Sequence, residues 1–245
     1  MTLRSPHPDL RLQHLDAVDS TNRVAADAAR SGAADGLVIV ADVQTAGRGR
    51  QGRRWVAPPA CGLTVSFLRR PRVDAADAWV WTLLAGLAAH AVAPGGAWLK
   101  WPNDLMIGGR KAGGVLCELV TTGMRLDAIV VGVGLNLVDP PGGWPTDIAA
   151  RATSLAALDP ALADRQTVLD RHAAALLDFE ATRAIAGTPT ILRAAEQAMG
   201  PMIGRTVTVD GRTARVLGIG HNGALRLTGA QGPFTVLAGD VHLGG

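Results

Sequence analysis

The sequence predicts an α/β protein built from a large α/β domain followed by a small β-barrel domain. Three observations support this prediction. Short apolar runs typical of buried strands alternate with stretches typical of helices over residues 1–199. The composition changes after Gly200 and Pro201, where short alternating segments begin. Asp-Gly, Asn-Gly and Gly-Pro dipeptides separate those segments as turns. We therefore predict two domains, 1–199 and 200–245.

The elements of the large domain follow from their own local signals. Asp19 or Ser20 can cap a helix that Gly32 would end. The run at 37–42 is short and rich in β-branched residues, which indicates a buried strand. In chain order we predict a helix over Thr21–Arg30, strands at 37–42 and 63–68, a helix at 77–91, a hairpin from 98–101 through Gly108-Gly109 to 115–120, a strand at 128–137, and helices at 167–183 and 191–199.

The small domain is predicted to contain only strands. They lie at 206–209, 214–218, 224–227 and 234–237, with turns at Asp210-Gly211, Asn222-Gly223 and Gly232-Pro233. A barrel of about 45 residues buries too little surface to be very stable alone.

Composition and charge restrict the class of protein. Hydrophobic residues make up 48% and charged residues 18%, which is enough for a core and gives no signature of disorder. The net charge of +3 is too small to indicate a surface that coats nucleic acid. Cys61 and Cys117 lie in apolar stretches, which predicts buried free thiols in a reducing compartment. We find no signal sequence and no run near the roughly 20 apolar residues of a membrane helix, so we predict a cytoplasmic protein.

A loop rich in glycine and arginine follows the strand at 37–42. Glycines let backbone N–H groups converge on an anion, and arginines provide forked donors for phosphate oxygens. Trp55 could stack on a flat ring. The loop lacks the Gly-Lys-Ser/Thr of a Walker sequence. A phosphate site, a solvated loop and an RNA contact all remain open from these residues alone.

The segment Lys100-Trp101-Pro102-Asn103-Asp104 places a turn directly after a strand. Asn103 could orient a phosphate or ribose, and Asp104 could hold Mg²⁺ through a carboxylate oxygen. Lys111 would return near this turn and could balance charge on a transferring phosphoryl group. An ordinary Asn-Asp turn is the alternative. Similarly, Gly132 and Gly134 in one strand leave room for a ligand or for close packing.

Taken in order, these segments closely resemble the biotin–protein ligase family. The resemblance is carried by residues 19–22, the glycine/arginine loop, the KWPND turn, residues 111–118 and residues 132–136, and it covers the chain to about Pro140. A weaker resemblance extends to 238–243. It implies a mixed-sheet catalytic domain of the biotin/lipoyl ligase type with a C-terminal SH3-like barrel. Only 19 residues precede Ser20, so the resemblance is to the branch without a DNA-binding domain, and we expect no DNA partner.

The resemblance also implies roles for individual residues. Lys111, Arg48 and Arg50 are the expected catalytic residues, and Asp104 is the expected Mg²⁺ ligand. The biotin-binding residues that it implies are Ser20, Thr21, Asn22, Gln44, Gly47, Arg48, Gly114, Leu116, Gly132 and Gly134. The residues that it implies for ATP or the adenylate are Arg50, Trp55, Asn103, Asp104, Lys111 and Asn136.

The activity that the resemblance implies has two steps. Biotin and ATP, with Mg²⁺, form biotinyl-5′-AMP, and the biotinyl group then passes to a lysine in the biotin carboxyl carrier domain of an acyl-CoA carboxylase. The glycine/arginine loop is expected to close over the adenylate and exclude water. A lipoate–protein ligase or octanoyltransferase is the nearest enzymatic alternative, although the loop and the KWPND turn favour biotin. A non-catalytic nucleic-acid-binding module is the alternative from another class, but it leaves Lys111 and the strand glycines unexplained. The oligomeric state and the role of Thr153-Ser154 stay open.

Overall fold

The protein is described here by a computed structural model covering residues 3–93 and 95–243. Over these residues the chain forms twelve strands and four α-helices, joined by loops and short 3₁₀ turns. In chain order they are β1 (Arg11–Val18), α1 (Thr21–Arg30), β2 (Leu37–Gln44), β3 (Gly62–Arg69), α2 (Val80–Val92), β4 (Ala97–Lys100), β5 (Asp104–Ile107), β6 (Arg110–Thr122), β7 (Arg125–Asn136), α3 (Arg165–Ala186), α4 (Thr188–Ala198), β8 (Thr206–Val209), β9 (Arg212–Ile219), β10 (Leu225–Gly229), β11 (Gly232–Val236) and β12 (Val241–Leu243).

The first seven strands form one mixed sheet in the order β1-β2-β3-β7-β6-β5-β4. β1 and β2 are parallel, and the other neighbouring strands are antiparallel. The predicted mixed sheet is therefore confirmed. The long strands β6 and β7 lie near its centre, and both carry residues from the glycine-containing motifs.

The two faces of this sheet are covered by different helices, as alternation along the strands requires. Ile39 of β2 packs with Ala25 and Ala29 of α1 in a small core on one face. Its neighbours Val38 and Val40 belong to the larger core, which includes residues of α2, α3 and α4. Because α1 covers only part of one face, the strands beside it stay open to form a site.

α2 lies at the centre of the larger core. The 18-residue stretch Ala75–Val92 is apolar enough by length and composition to cross a membrane, with a mean hydropathy of 1.3, but 61% of it is buried inside the fold. The core helices of proteins that do not cross membranes meet the same criterion, so this stretch is weak support for a membrane span. We expected no apolar run near the roughly 20 residues of a membrane helix, and this 18-residue stretch is longer than expected.

The last five strands form an antiparallel sheet in the order β11-β10-β9-β8-β12. This sheet contacts the large domain, because Trp101 Nε1 donates to Gly223 O at 3.0 Å and Ile219 N donates to Glu196 at 2.7 Å. A second, small β region is thus as expected. Its SH3-like character and the boundary between 199 and 200 stay predictions.

Several boundaries differ from the sequence-based expectation. β1 was not predicted, because it lies at one end of the sheet order and its polar side chains interrupt the apolar pattern. The predicted single hairpin is two hairpins, β4-β5 and β5-β6, and β6 begins at Arg110 rather than at 115. α2 begins at Val80, after a 3₁₀ turn over Ala75–Asp77. Cys117 as a whole residue is partly exposed rather than buried. Its thiol is nevertheless enclosed by protein, and this burial raises the pKa of the thiol to about 12.

Candidate functional site

One cavity brings together most of the residues singled out by sequence. The space between its lining residues is about 970 Å³, which includes solvent at the open mouth. The lining residues are Ser20, Thr21, Asn22, Gln44, Arg48, Gly49, Arg50, Arg53, Arg54, Trp55, Lys100, Trp101, Pro102, Asn103, Asp104, Lys111, Gly114, Val115, Leu116, Gly132, Val133, Gly134, Gly239, Asp240, Val241 and His242. They come from the start of α1, the end of β2, the glycine/arginine loop, the end of β4 and the β4-β5 turn, β6, β7, and the start of β12 with the two residues before it.

At one end of the cavity, which we call the polar end, neutral side chains bond to one another. Gln44 Oε1 accepts from Thr21 N at 2.8 Å and lies 3.1 Å from Thr21 Oγ1. Ser66 of β3 lies behind them, with its hydroxyl 2.8 Å from Thr21 Oγ1 and 2.6 Å from Asn22 Oδ1. Thr21, Asn22 and Ser66 are all buried. The polar end is therefore rigid and rich in donors and acceptors without net charge.

The two glycines of β7 explain how the cavity is formed. A Cβ at Gly132 would lie 2.0 Å from Asn22 Oδ1, and a Cβ at Gly134 would lie 2.4 Å from the ring of Trp55. The close approach predicted for this strand is thus made by two side chains of the site itself. Because residues two apart in a strand are separated by about 6.6 Å, Asn22 and Trp55 mark two successive positions along the cavity.

The opposite end, which we call the charged end, is built around Asp104. Lys111 Nζ lies 2.5 Å from Asp104 Oδ1, and Lys100 Nζ lies 3.8 Å from Asp104 Oδ2. Burial lowers the pKa of Lys100, and Asp104 opposes that shift. Arg50 donates to Asn103 Oδ1 at 3.4 Å, and burial lowers the pKa of its guanidinium as well. Two half-buried ammonium groups thus share one carboxylate, which leaves positive charge available to an anion.

The backbone around Lys111 is held by residues 151–153, for which no role was predicted. Lys111 N donates to Arg151 O at 2.7 Å, and Thr153 N donates to Lys111 O at 3.0 Å. Asn136 Nδ2 donates to Thr153 O at 2.9 Å. Residues 151–153 therefore extend the sheet beside the start of β6 and hold Lys111 in place.

The glycine/arginine loop forms a compact turn over the mouth of the cavity. Trp55 N donates to Gly47 O at 2.9 Å, and Gly49 N donates to Arg53 O at 2.7 Å. Arg53 also forms an ion pair with Asp240 near the C-terminal sheet, and this contact lowers the pKa of the Asp240 carboxyl. The small β region thus holds the loop from one side.

The cavity collects all the predicted site residues except two. Gly47 lies on the outer side of the loop, where a Cβ would come within 2.5 Å of Trp55 O. Asn136 is 5% exposed and lies behind Lys111, outside the lining found among the described residues. Its predicted contact with the ribose stays a prediction, and the structure shows a supporting contact instead.

Sequence reasoning missed three contributors to the site. Lys100 is the first residue of the KWPND motif, but no role was predicted for it. Its position at the end of a strand, directly before a turn, could have indicated a role in the site. Ser66 and the residues 239–242 carried no local signal, because a buried serine in a strand and a Gly-Asp turn near a barrel are common. Only the fold brings them to the cavity.

Asp104 is the carboxylate of the charged end that could bind a metal ion. Within residues 3–93 and 95–243, no group of three or more His, Cys, Asp or Glu side chains is placed to hold a metal ion. Asp104 is the carboxylate nearest the cations of the charged end. Mg²⁺ is commonly held by one or two carboxylates together with substrate phosphates, so this donor set fits an ion that arrives with a nucleotide.

Comparisons with known proteins identify the family of this chain. The family model described as the biotin/lipoate A/B protein ligase family matches residues 15–136. The bifunctional ligase/repressor BirA of Bacillus spizizenii is 32% identical over 95% of this chain and 74% of its own length. The biotin–[acetyl-CoA-carboxylase] ligase of Paracoccus denitrificans is 32% identical over 94% of this chain and 100% of its own length.

A solved structure is similar over almost the whole fold. The biotin protein ligase from Aquifex aeolicus, in complex with biotin and ATP, matches with a TM-score of 0.80 and 28% identity, covering 96% of this chain and 98% of that one. The chain therefore belongs to the biotin/lipoate A/B protein ligase family and, within it, to the biotin protein ligases.

Proposed function

We propose that this enzyme forms biotinyl-5′-AMP from biotin and ATP and then transfers the biotinyl group to a lysine of a carrier protein. The observation that carries the proposal is the two-ended cavity, with neutral hydrogen-bonding groups at the polar end and cations at the charged end. Family membership supports the same activity, since relatives bear the name of a biotin–[acetyl-CoA-carboxylase] ligase.

The polar end suits the ring system of biotin. A cyclic urea offers two N–H donors and one carbonyl acceptor, and the hydroxyl groups of Ser20 and Thr21 and the amides of Asn22 and Gln44 provide complementary partners. Ser20, Thr21 and Asn22 are buried and Gln44 is partly buried, so a ligand that leaves their polar atoms unpaired is penalised. A lipoyl chain has an apolar dithiolane instead of a urea, and the polar end therefore favours biotin.

The charged end suits a carboxylate next to a triphosphate. In the first step, an oxygen of the biotin carboxylate attacks the α-phosphorus of ATP, the bond to the bridging oxygen breaks, and pyrophosphate leaves. Lys111, Arg48 and Arg50 balance the negative charge that otherwise keeps the two anions apart. Trp55 Nε1 is buried without a hydrogen-bond partner among the described residues, so it is available to a ligand at this end.

Mg²⁺, when bound with the nucleotide, would withdraw charge from the phosphate oxygens. Asp104 would supply its protein ligand. Lys111 and Lys100 would then turn from Asp104 towards the phosphates, which gives each of them a stronger anionic partner.

In the second step, the neutral amine of the acceptor lysine attacks the acyl carbonyl of biotinyl-AMP, and AMP leaves. The mixed anhydride reacts readily with water, and the loop at 47–55 can shield it because its glycines allow the backbone to close. The acceptor is a biotin carboxyl carrier domain of an acyl-CoA carboxylase, as the name of the Paracoccus relative implies. A cytoplasmic location and the absence of a DNA partner remain predictions.

The proposal is tested by incubating the purified protein with Mg·ATP and either biotin or lipoate, without acceptor, and detecting the adenylate by mass spectrometry. We expect biotinyl-AMP and no lipoyl-AMP. Lipoyl-AMP alone would reverse the specificity, and the absence of both adenylates from folded protein would overturn the proposed activity. Salt-sensitive binding of nucleic acid without any adenylate would instead support the non-catalytic alternative.

A further inference from the structure

We propose that Glu118 is a positioning residue that couples the polar end of the cavity to Arg48 of the glycine/arginine loop. The inference rests on the proposed function, because it assigns this residue to biotin binding. Glu118 lies on β6 outside the cavity lining and acts through Asn22 and Arg48.

The first contact of Glu118 fixes the orientation of Asn22. Asn22 Nδ2 donates to Glu118 Oε2 at 2.8 Å and to Leu116 O at 3.1 Å. Both partners are acceptors only, so the amide nitrogen must face them. Asn22 Oδ1 therefore faces β3, where the hydroxyl of Ser66 lies 2.6 Å away and donates to it.

The direction of every bond in this network follows from that orientation. A hydroxyl has a single proton, and the proton of Ser66 is used by Asn22 Oδ1. The hydroxyl of Thr21, 2.8 Å from Ser66 Oγ, supplies the proton of that contact. Gln44 Oε1 still accepts from Thr21 N. The donors of Thr21, Ser66 and Asn22 thus point in sequence towards Glu118, which terminates the network as an acceptor.

The second contact of Glu118 is with the loop. Arg48 Nη1 lies 3.0 Å from Glu118 Oε1, with 53% of the Arg48 side chain and 27% of the Glu118 side chain exposed. An ion pair this exposed contributes little to folding stability. Its effect is on position, since it keeps a flexible arginine beside the cavity before any ligand binds, which lowers the entropy lost on binding.

Only a carboxylate can accept hydrogen bonds from Asn22 and Arg48 at the same time through two separate oxygens. Asn22 and Arg48 are donors, and each uses a different oxygen of Glu118. In Glu118→Gln the amide has one oxygen and one NH₂ group, so one of the two donors must face another donor. Either Asn22 loses its orientation or Arg48 loses its partner, and both results weaken the binding of biotin.

The test measures biotinyl-AMP formation by the full-length chain as pyrophosphate release. We expect Glu118→Gln to raise the KM for biotin about tenfold, which is about 1.4 kcal/mol, and to change the KM for ATP less than twofold. Glu118→Asp keeps the charge but is too short to reach both partners, so we expect an intermediate rise of about threefold. Glu196→Gln is the matched control, because its amide oxygen can still accept from Ile219 N.

A double-mutant cycle with Arg48→Ala separates positioning from general stability. We expect the effects of Glu118→Gln and Arg48→Ala to be non-additive, with a smaller loss from the second substitution. An unchanged KM for biotin, or an equal rise in both KM values with a fall in Tm, would overturn the proposal. If Glu118→Gln fails to fold, Glu118→Asp decides by the same criteria. Failure of the wild-type protein to form biotinyl-AMP would refute the proposed function instead, and the two failures are thus distinguishable.

Discussion

The polar end of the cavity consists of side chains that already bond to one another, whereas the charged end holds more cations than Asp104 can pair. Thr21, Asn22 and Ser66 are at most 4% exposed and lie on α1 and β3. Lys100 and Lys111 share Asp104, and burial already lowers the pKa of Lys100. Under the proposed function, the polar end would recognise a neutral group with little rearrangement, while the charged end would exchange its internal ion pairs for ligand phosphates.

The largest expected effect tests the charged end. Lys111→Ala removes the cation that we propose acts on the reacting phosphate, and we expect the rate of adenylation to fall about 10²–10³-fold, with the affinity for biotin changed less than threefold. Rapid-quench formation of biotinyl-AMP and calorimetric binding of biotin measure the two quantities. Full adenylation activity in folded Lys111→Ala protein would remove Lys111 from the mechanism.

The next effect tests the polar end. In Gly132→Ala the added methyl group would lie 2.0 Å from Asn22 Oδ1, so Asn22 must move out of its network. We expect the Kd for biotin to rise about tenfold or more, which is the loss of one buried hydrogen bond, while binding of ATP is retained. Calorimetry with each ligand separately is the measurement. Equal losses for the two ligands would show that the ends of the cavity are not independent.

A smaller effect is expected where the C-terminal sheet meets the loop. Asp240→Asn removes the partner charge of Arg53, and because both side chains are largely exposed, the ion pair is weak. We expect the KM for ATP to change about two- to threefold, and less at high salt, where the ion pair is screened in the wild type as well. No difference between the variant and the wild type at low salt would mean that this contact does not position the loop.

The smallest effect on activity concerns a buried group outside the cavity. Burial raises the pKa of Glu180 from 4.5 to about 7, although Arg69 opposes the shift. Between these pH values the folded state binds more protons than the unfolded state, so this group stabilises the protein most below pH 4.5 and less as the pH rises through 7. Glu180→Gln should therefore gain Tm relative to the wild type between pH 5 and pH 8, with kcat unchanged.

This comparison of melting temperatures needs no assumption about other titrating groups, because they are common to both proteins. His172 is one of them, since its burial lowers its pKa to about 4 and opposes folding on acidification. A Tm difference that does not vary with pH would show that Glu180 is ionised in the folded protein throughout this range.

Local patterns predicted most of the strands and indicated Asn103, Asp104 and Lys111 as candidate site residues, whereas Lys100 received no role. Lys100, Asn103 and Asp104 lie within five residues on one turn, so this part of the charged end is local in sequence. The polar end draws Ser66 and Glu118 from distant strands that meet only through the register of β3, β7 and β6. No spacing in the chain encodes that register, and both residues went unnoticed as contributors.

The case of Gly134 shows where a correct prediction was incomplete. The alternating glycines predicted a close approach to β7, and the structure shows that Trp55 makes it. Sequence alone placed Trp55 at the end of a loop 79 residues earlier. β1 was missed for a different reason, since a strand at the end of a sheet needs apolar residues on fewer sides and carries a weaker pattern.

The wall formed by residues 239–242 has a consequence for the synthesis of the protein. A chain still being translated can fold its seven-stranded sheet from the N-terminus onward, and the polar end and the charged end would both be present at that stage. The cavity would nevertheless lack one wall until residue 242 has left the ribosome. Nascent chains would therefore bind substrate before they could shield it, and the ability to retain a water-sensitive adenylate would be acquired later than the ability to bind biotin and ATP.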